Sequence, residues 1–214
     1  MALAILALLY LVAWGRSKQS ALLGGAVAFL IGFSNSPQAL RNDQIPVWPG
    51  FRELYRTNSH FGMMQVVEAE KGRARYYLND FLIQNSYDTQ ERKSISVFTG
   101  MLVGLSQAYS KEFKRGLCLG MGVGIAPMRL VEEGVAVDVV EINPAVVPLA
   151  QSFFGFEPSK VNLVIDDARH FLGATTCRYD TIHLDAFIGD SMPSHLLTQE
   201  TFQLIRSHLE DGGT

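Results

Sequence analysis

The chain has 214 residues, of which 48% are hydrophobic and 18% charged, and a net charge of −3. This excludes a disordered chain, a collagen-like chain and a basic nucleic-acid binder, so no nucleic-acid partner is expected. The charge is uneven: before Leu40 only Arg16 and Lys18 are charged, and the first acid is Asp43. Residues 41–214 suffice for one α/β domain with its own core. The two cysteines, Cys118 and Cys177, form no disulfide framework. Both sit in apolar surroundings and read as small buried hydrophobes. No Cys/His cluster has zinc-ligand spacing, so no metal is expected.

The first apolar run, residues 1–14, is followed by Gly-Arg-Ser-Lys-Gln-Ser and a second run from Ala21 to Phe33. Each falls short of the ~20 residues that span a bilayer core. Three readings stay open. They are a hairpin of short membrane helices with Arg16 and Lys18 in its turn, a signal peptide, and buried helices of a soluble fold. The basic residues follow the first run, which argues against a signal peptide. Gly24, Gly25, Ala26 and Ala28 suit close helix packing in lipid. We therefore expect membrane helices over 1–34, and membrane lipid as a partner. Residues 35–50, with Pro37, Pro46 and Pro49, read as a linker.

A small antiparallel β unit is expected over 51–90. Its strands run from Arg52 to Asn58, Gly62 to Glu68 and Arg73 to Leu78, with a short one from Leu82 to Gln84. Ser94 to Tyr109 reads as a helix, with Ile95, Phe98, Leu102 and Leu105 at helical spacing. Strands and helices then alternate. The strands are Leu117–Leu119, Val135–Ile142, Val161–Ile165 and Tyr179–Leu184. The helices are Ile125–Glu133, Pro144–Phe154, Ala168–Leu172 and Thr198–Leu209. This order predicts a doubly wound parallel sheet over 91–214. The chain stops where a next strand is due, so we expect a sheet truncated at its C-terminal side.

The loop Gly120-Met121-Gly122-Val123-Gly124 follows the first of these strands and opens a helix. Glycines there let the backbone turn and come close to a ligand. Glu141 ends the next strand, 17 residues after Gly124, where an acid can accept bonds from ribose hydroxyls. Asp166 and Asp167 end the third strand. Either can face an adenine amino group or cap the following helix, with the adenine role favoured for Asp167. Asp185 ends the fourth. Ligands of open α/β sheets lie beyond these carboxyl ends. A phosphate loop is absent, which argues against an NTPase. His183 and His195 read as structural rather than catalytic.

With these residues in place, the chain from about Ser59 to Thr214 resembles the spermidine synthase (polyamine aminopropyltransferase) family, and most of all its membrane-fused bacterial forms. The resemblance rests on Leu78-Asn79-Asp80, Gln84, LGMGVG, EINPAVV, DDARHFL, YDTIHLDAF and GDSMPSHLLTQETF. It implies a Rossmann-like, methyltransferase-type fold. It also implies a nucleoside site at Gly120, Gly122, Gly124, Glu141, Asp167 and Ala168, with Gln84 reaching in from the β unit. Asp185 would be the catalytic residue and Asp190 an amine contact. The implied activity is aminopropyl transfer from decarboxylated S-adenosylmethionine to a small amine.

Three departures stand out. Val123 occupies the place of the family's usual Asp. Asp185 and Asp190 are five apart where the family has two Asp three apart. The Tyr-His-Glu segment after Gln84 is missing. The alternatives are an S-adenosylmethionine-dependent methyltransferase and a non-catalytic, membrane-tethered nucleoside-binding domain. A homodimer and a place at the bacterial inner membrane, with the soluble domain cytoplasmic, are further expectations.

Overall fold

The computed structural model describes residues 50–187 and 191–214. The expected membrane helices, most of the linker and Asp190 lie outside the described residues. Among the described residues no helix is long and apolar enough to cross a membrane.

The first sheet is an antiparallel meander of β1 (Arg52–Ser59), β2 (Gly62–Ala69), β3 (Ala74–Asn79), β4 (Leu82–Asp88) and the short β5 (Lys93–Ser94). It is larger than the alternation suggested, because β4 continues four residues past Gln84 and recruits β5. Central β2 is buried from Met64 to Glu68. The β3–β4 hairpin turns on Asp80 and Phe81, both at positive φ (47° and 68°). Asp tolerates this conformation, and its Oδ1 accepts a bond from the Met63 amide at 2.8 Å.

β4 carries a bulge. Tyr77 pairs with Asn85 and Leu78 with Ile83, which leaves Gln84 as the extra residue. A regular strand sends successive side chains to opposite faces, whereas a bulge re-aims them. Ile83, Gln84 and Asn85 consequently all line one cavity.

The second sheet is parallel, in the order β8 (Asn162–Ile165), β7 (Ala136–Glu141), β6 (Arg115–Leu119), β9 (Thr181–Leu184). The connecting helices are α1 (Val97–Tyr109), α2 (Ile125–Glu132), α3 (Val146–Phe154), α4 (Ala168–Ala174) and α5 (Gln199–Ser207). The period of two along β6 divides the core. Cys118 joins Val137, Val139, Leu149 and Phe154 on one face. Leu117 and Leu119 join Ala168, Leu172 and Tyr179 on the other. This is the doubly wound α/β arrangement expected. Cys177 departs from expectation. It is only partly buried, and its Sγ lies 3.3 Å from the Arg115 guanidinium.

The meander is held against the first face of the parallel sheet. Met64, Val66, Tyr77 and Tyr87 share its core. Arg75 Nη1 donates to the Phe153 carbonyl at 2.6 Å, and the Asn143 amide donates to Ser59 Oγ at 3.2 Å.

α1 begins at Val97, where the Ser96 hydroxyl accepts from the Phe98 amide. Farther along, Ser106 joins a buried polar chain with β9. The Thr181 hydroxyl donates to Ser106 Oγ at 2.8 Å, and Ser106 donates to the Leu102 carbonyl at 2.9 Å. Ser106 Oγ has then spent its proton, so His183 Nε2, 2.7 Å away, must be the donor. His183 Nδ1 is left as a buried acceptor with no partner among the described residues. His183 is therefore a structural residue, as expected.

Burial pushes His183 down from 6.5 to about 4. The folded protein holds it neutral, whereas the unfolded chain protonates it below about 6.5. Its contribution is complete above that pH and lost as the pH falls toward 4. Between pH 7 and 4.5 the wild type should lose on the order of 2–3 kcal/mol more than His183→Gln, which keeps an N–H donor but does not titrate. Urea unfolding at the two pH values measures the difference.

Candidate functional site

The carboxyl ends of all four parallel strands open into one cavity of about 610 Å³. That size suits a nucleoside with a second small molecule. Gly120, Gly122, Glu141, Asp166, Asp167, Ala168 and Asp185 line it, with Gln84 from the bulge of β4. The structure thus brings together the predicted residues that lie within the described chain, except Gly124. That glycine sits behind the loop, where a Cβ would fall 2.3 Å from the Phe156 ring.

Gly120 sets the geometry. Its φ is +97°, and a Cβ there would lie 2.2 Å from the Asp185 carbonyl oxygen. Only glycine lets the ends of β6 and β9 meet this closely. β6 lies between β7 and β9, whose connections run to opposite sides, so the cavity occupies the switch point of the sheet.

Glu141 is buried. Its Oε1 accepts from the Asn143 amide at 2.8 Å and its Oε2 from the Met121 amide at 3.0 Å. Burial pushes its carboxyl up, and these amides oppose the shift only in part. Two fixed N–H donors hold the side chain at the mouth of the glycine loop, with acceptor capacity left over.

The helix cap is Asp167 and not Asp166. Asp167 Oδ1 accepts from the amides of Arg169 and His170 at 2.9 and 3.0 Å. Its Oδ2 meets His195 Nε2 at 2.9 Å. Burial alone would raise Asp167, but the His170 amide and the His195 ring hold it below the ordinary value. Asp166 pairs with His170 Nδ1 at 2.7 Å and raises that imidazole.

Asp185 differs from the other acids. Among the described residues no hydrogen-bond partner faces its carboxylate, and burial pushes it above the ordinary aspartate range. Such a group is a stronger proton acceptor than a solvated aspartate, and it gains most from a cation brought beside it.

Sequence reasoning missed Asn85 and Asn143, which also line the cavity. Asn85 Oδ1 and Asn79 Oδ1 are buried acceptors with no partner among the described residues, a state that a bound donor group would relieve. Their signal was adjacency to Gln84 and to Asp80. Val123 is fully buried in the apolar core and does not reach the cavity. Among the described residues no group of acids, histidines and cysteines could hold a metal ion.

No protein-family model matches the chain. A polyamine aminopropyltransferase of Vibrio vulnificus (strain CMCP6) is 34% identical over 133 residues, 59% of this chain and 44% of that protein. A probable polyamine aminopropyl transferase of Bifidobacterium longum (strain NCC 2705) is 27% identical over 164 residues, 76% of this chain and 32% of that protein. The chain spans less than half the length of these curated relatives. In fold it is similar to a spermidine synthase crystallised with the transition-state analogue AdoDATO. That likeness has a TM-score of 0.61 at 19% identity and covers 74% of this chain and 53% of the other. The spermidine synthase of Thermotoga maritima gives 0.60 at 17%, with the same coverage. The resemblance to the spermidine synthase family therefore holds in sequence and in fold.

The glycine loop is testable by stability. Gly120→Ala adds a Cβ against an immovable backbone carbonyl at positive φ, and should cost about 2–5 kcal/mol. Gly173→Ala is the control. Gly173 lies in α4 with nothing within 4 Å of its Cβ position, so the change should stabilise by up to about 1 kcal/mol. Denaturant unfolding of both variants reads the contrast.

Proposed function

We propose, with the chain's likeness to the polyamine aminopropyltransferases as the premise, that it moves an aminopropyl group from decarboxylated S-adenosylmethionine to a small amine. The observation that supports this most is the Asp185 carboxylate, which lines the cavity at the switch point and has no hydrogen-bond partner among the described residues. Glu141 supplies ribose acceptors, Asp167 and Ala168 border the base, and Gly120 and Gly122 let the backbone approach the ligand. Asn85 Oδ1, beside Gly122 and an acceptor with no partner among the described residues, is placed for a donor group of the ligand.

The donor, when bound, supplies a sulfonium whose carbon–sulfur bond breaks with its electron pair passing to sulfur. Asp185 holds the acceptor ammonium, takes its proton and leaves the nitrogen lone pair free to form the new carbon–nitrogen bond. Holding nitrogen and carbon in line removes most of the entropic part of the barrier. The proton then passes from Asp185 to water, and the products are a neutral thioether and an alkylated amine.

Methyl transfer from S-adenosylmethionine is the second reading. The burial of Val123 favours it, because that loop position offers no carboxylate to an aminopropyl ammonium. We also propose that residues 1–34 tether the protein to the bacterial inner membrane with this domain on the cytoplasmic side, where adenosyl donors are found. The support is the lack of any acid before Asp43.

The discriminating assay uses the full chain and two donors. Release of methylthioadenosine from the decarboxylated donor supports aminopropyl transfer. Release of S-adenosylhomocysteine from the ordinary donor supports methyl transfer. Neither product, despite ligand binding, would leave only a binding domain. Asp185→Asn should lower turnover by about 10²–10⁴ while methylthioadenosine affinity changes only a few-fold. Wild-type turnover in that variant would remove Asp185 from the mechanism. In fractionation, full-length protein should require detergent to leave the membrane pellet. Monomeric protein in the detergent-free supernatant would end the tether reading.

A further inference from the structure

The four strand ends form a row. Asp166 and Asp167 stand beyond β8, Glu141 at the end of β7, Gly120 and Gly122 beyond β6, and Asp185 beyond β9. Neighbouring strands lie about 4.8 Å apart, so the row spans about 14 Å, the reach of a nucleoside with a short tail. Base and ribose take the first two places. Whatever continues past the ribose toward Asp185 lies over the β6 loop.

That loop has no side chain to offer a cation. Met121 and Val123 are buried in the apolar core, and the residues between and beside them are glycines. An acceptor has to come from the element facing the loop, and β4 supplies one. Asn85 lies opposite Tyr77, just after the bulge, and both line the cavity. Its Oδ1 is buried with no partner among the described residues, and a Cβ at Gly122 would fall 2.7 Å from it. Gly122, at φ +53°, therefore leaves room for this oxygen at the loop. A buried acceptor left unpaired is unfavourable, and a donor on the ligand relieves it.

Asn79 Oδ1 is in the same state at another place. Asn79 pairs with Met64, whose sulfur meets the Asn143 amide at 3.3 Å, and the Asn143 N–H holds Glu141. Asn79 thus belongs to the ribose end of the row.

We propose that Asn85 Oδ1 binds the ammonium that ends the donor's three-carbon tail. This rests on the reading of the cavity as a site of aminopropyl transfer, and it names the residue that holds the donor's far end. An amide oxygen accepts from an ammonium in a charge-assisted bond. With the ribose at Glu141 and the ammonium at Asn85, the carbon next to sulfur is fixed between two anchors, beside the amine that Asp185 holds.

The test compares two thioethers that differ only in the ammonium, aminopropylthioadenosine and propylthioadenosine, by calorimetric titration of the full chain. Neither has a sulfonium, so no transfer intervenes. The wild type should prefer the aminopropyl compound by about tenfold or more. Asn85→Ala should remove that preference and leave propylthioadenosine affinity within about threefold. Asn85→Asp puts a carboxylate at the same place and should raise the preference by about fivefold or more. Asn79→Ala should weaken both compounds alike. A wild type without the preference overturns the proposal. A preference that survives Asn85→Ala does so too, most directly if Asn79→Ala, Asp185→Asn or Asp190→Asn abolishes it. An equal loss of both compounds in Asn85→Ala has the same force, as does the lack of a rise in Asn85→Asp should the alanine variant fail to fold. Binding of neither thioether to the wild type shows separately that the nucleoside reading has failed.

Discussion

The contact between Gly120 and the backbone of Asp185 governs the rest of the site. Two parallel strands that end side by side would normally keep their following loops apart by at least a side chain. Here the missing Cβ lets one loop fold directly onto the other. The amide of Asp185 is fixed to the Leu119 carbonyl at 2.9 Å, and that of Gly120 to the Val140 carbonyl at 2.9 Å. Three strand ends are thus locked by backbone, and no flexible side chain intervenes. The carboxylates that project from them inherit that rigidity.

The antiparallel meander adds a second constraint. It covers the sheet through Met64, Val66, Tyr77 and Tyr87, and is pinned near the site by Asn143 and Ser59. Asn143 is used fully. Its amide nitrogen reaches Ser59, its Oδ1 accepts from the Ala145 amide, and its own backbone N–H holds Glu141. A single residue therefore connects the opening of α3, the buried Glu141 carboxylate and the first sheet.

Much of this was legible in the sequence, because the signals were local. The glycine loop, Glu141 and Asp185 each sit at a strand end, and strand ends in an alternating β/α pattern share one side of the sheet. The bulge was not legible. Alternation along Leu82–Asp88 carries no mark of the extra residue at Gln84, so the strand read as ending there. The exchange of roles between Asp166 and Asp167 was hidden for a similar reason. Both are good caps, and a shift of one residue in the start of α4 decides which one turns back onto the helix. The contact of Cys177 with Arg115 joins residues 62 apart, and no local pattern could reveal it.

Asp167 has two ends, and they report to different parts of the molecule. One oxygen secures the first amides of α4, and the other faces the cavity through His195. A ligand that displaces the imidazole alters the charge that the helix start experiences, and a ligand that reinforces it does the opposite. A ligand that engages His195 would therefore change the amide-exchange rates of Arg169 and His170, whose protons are bonded to the far oxygen of Asp167.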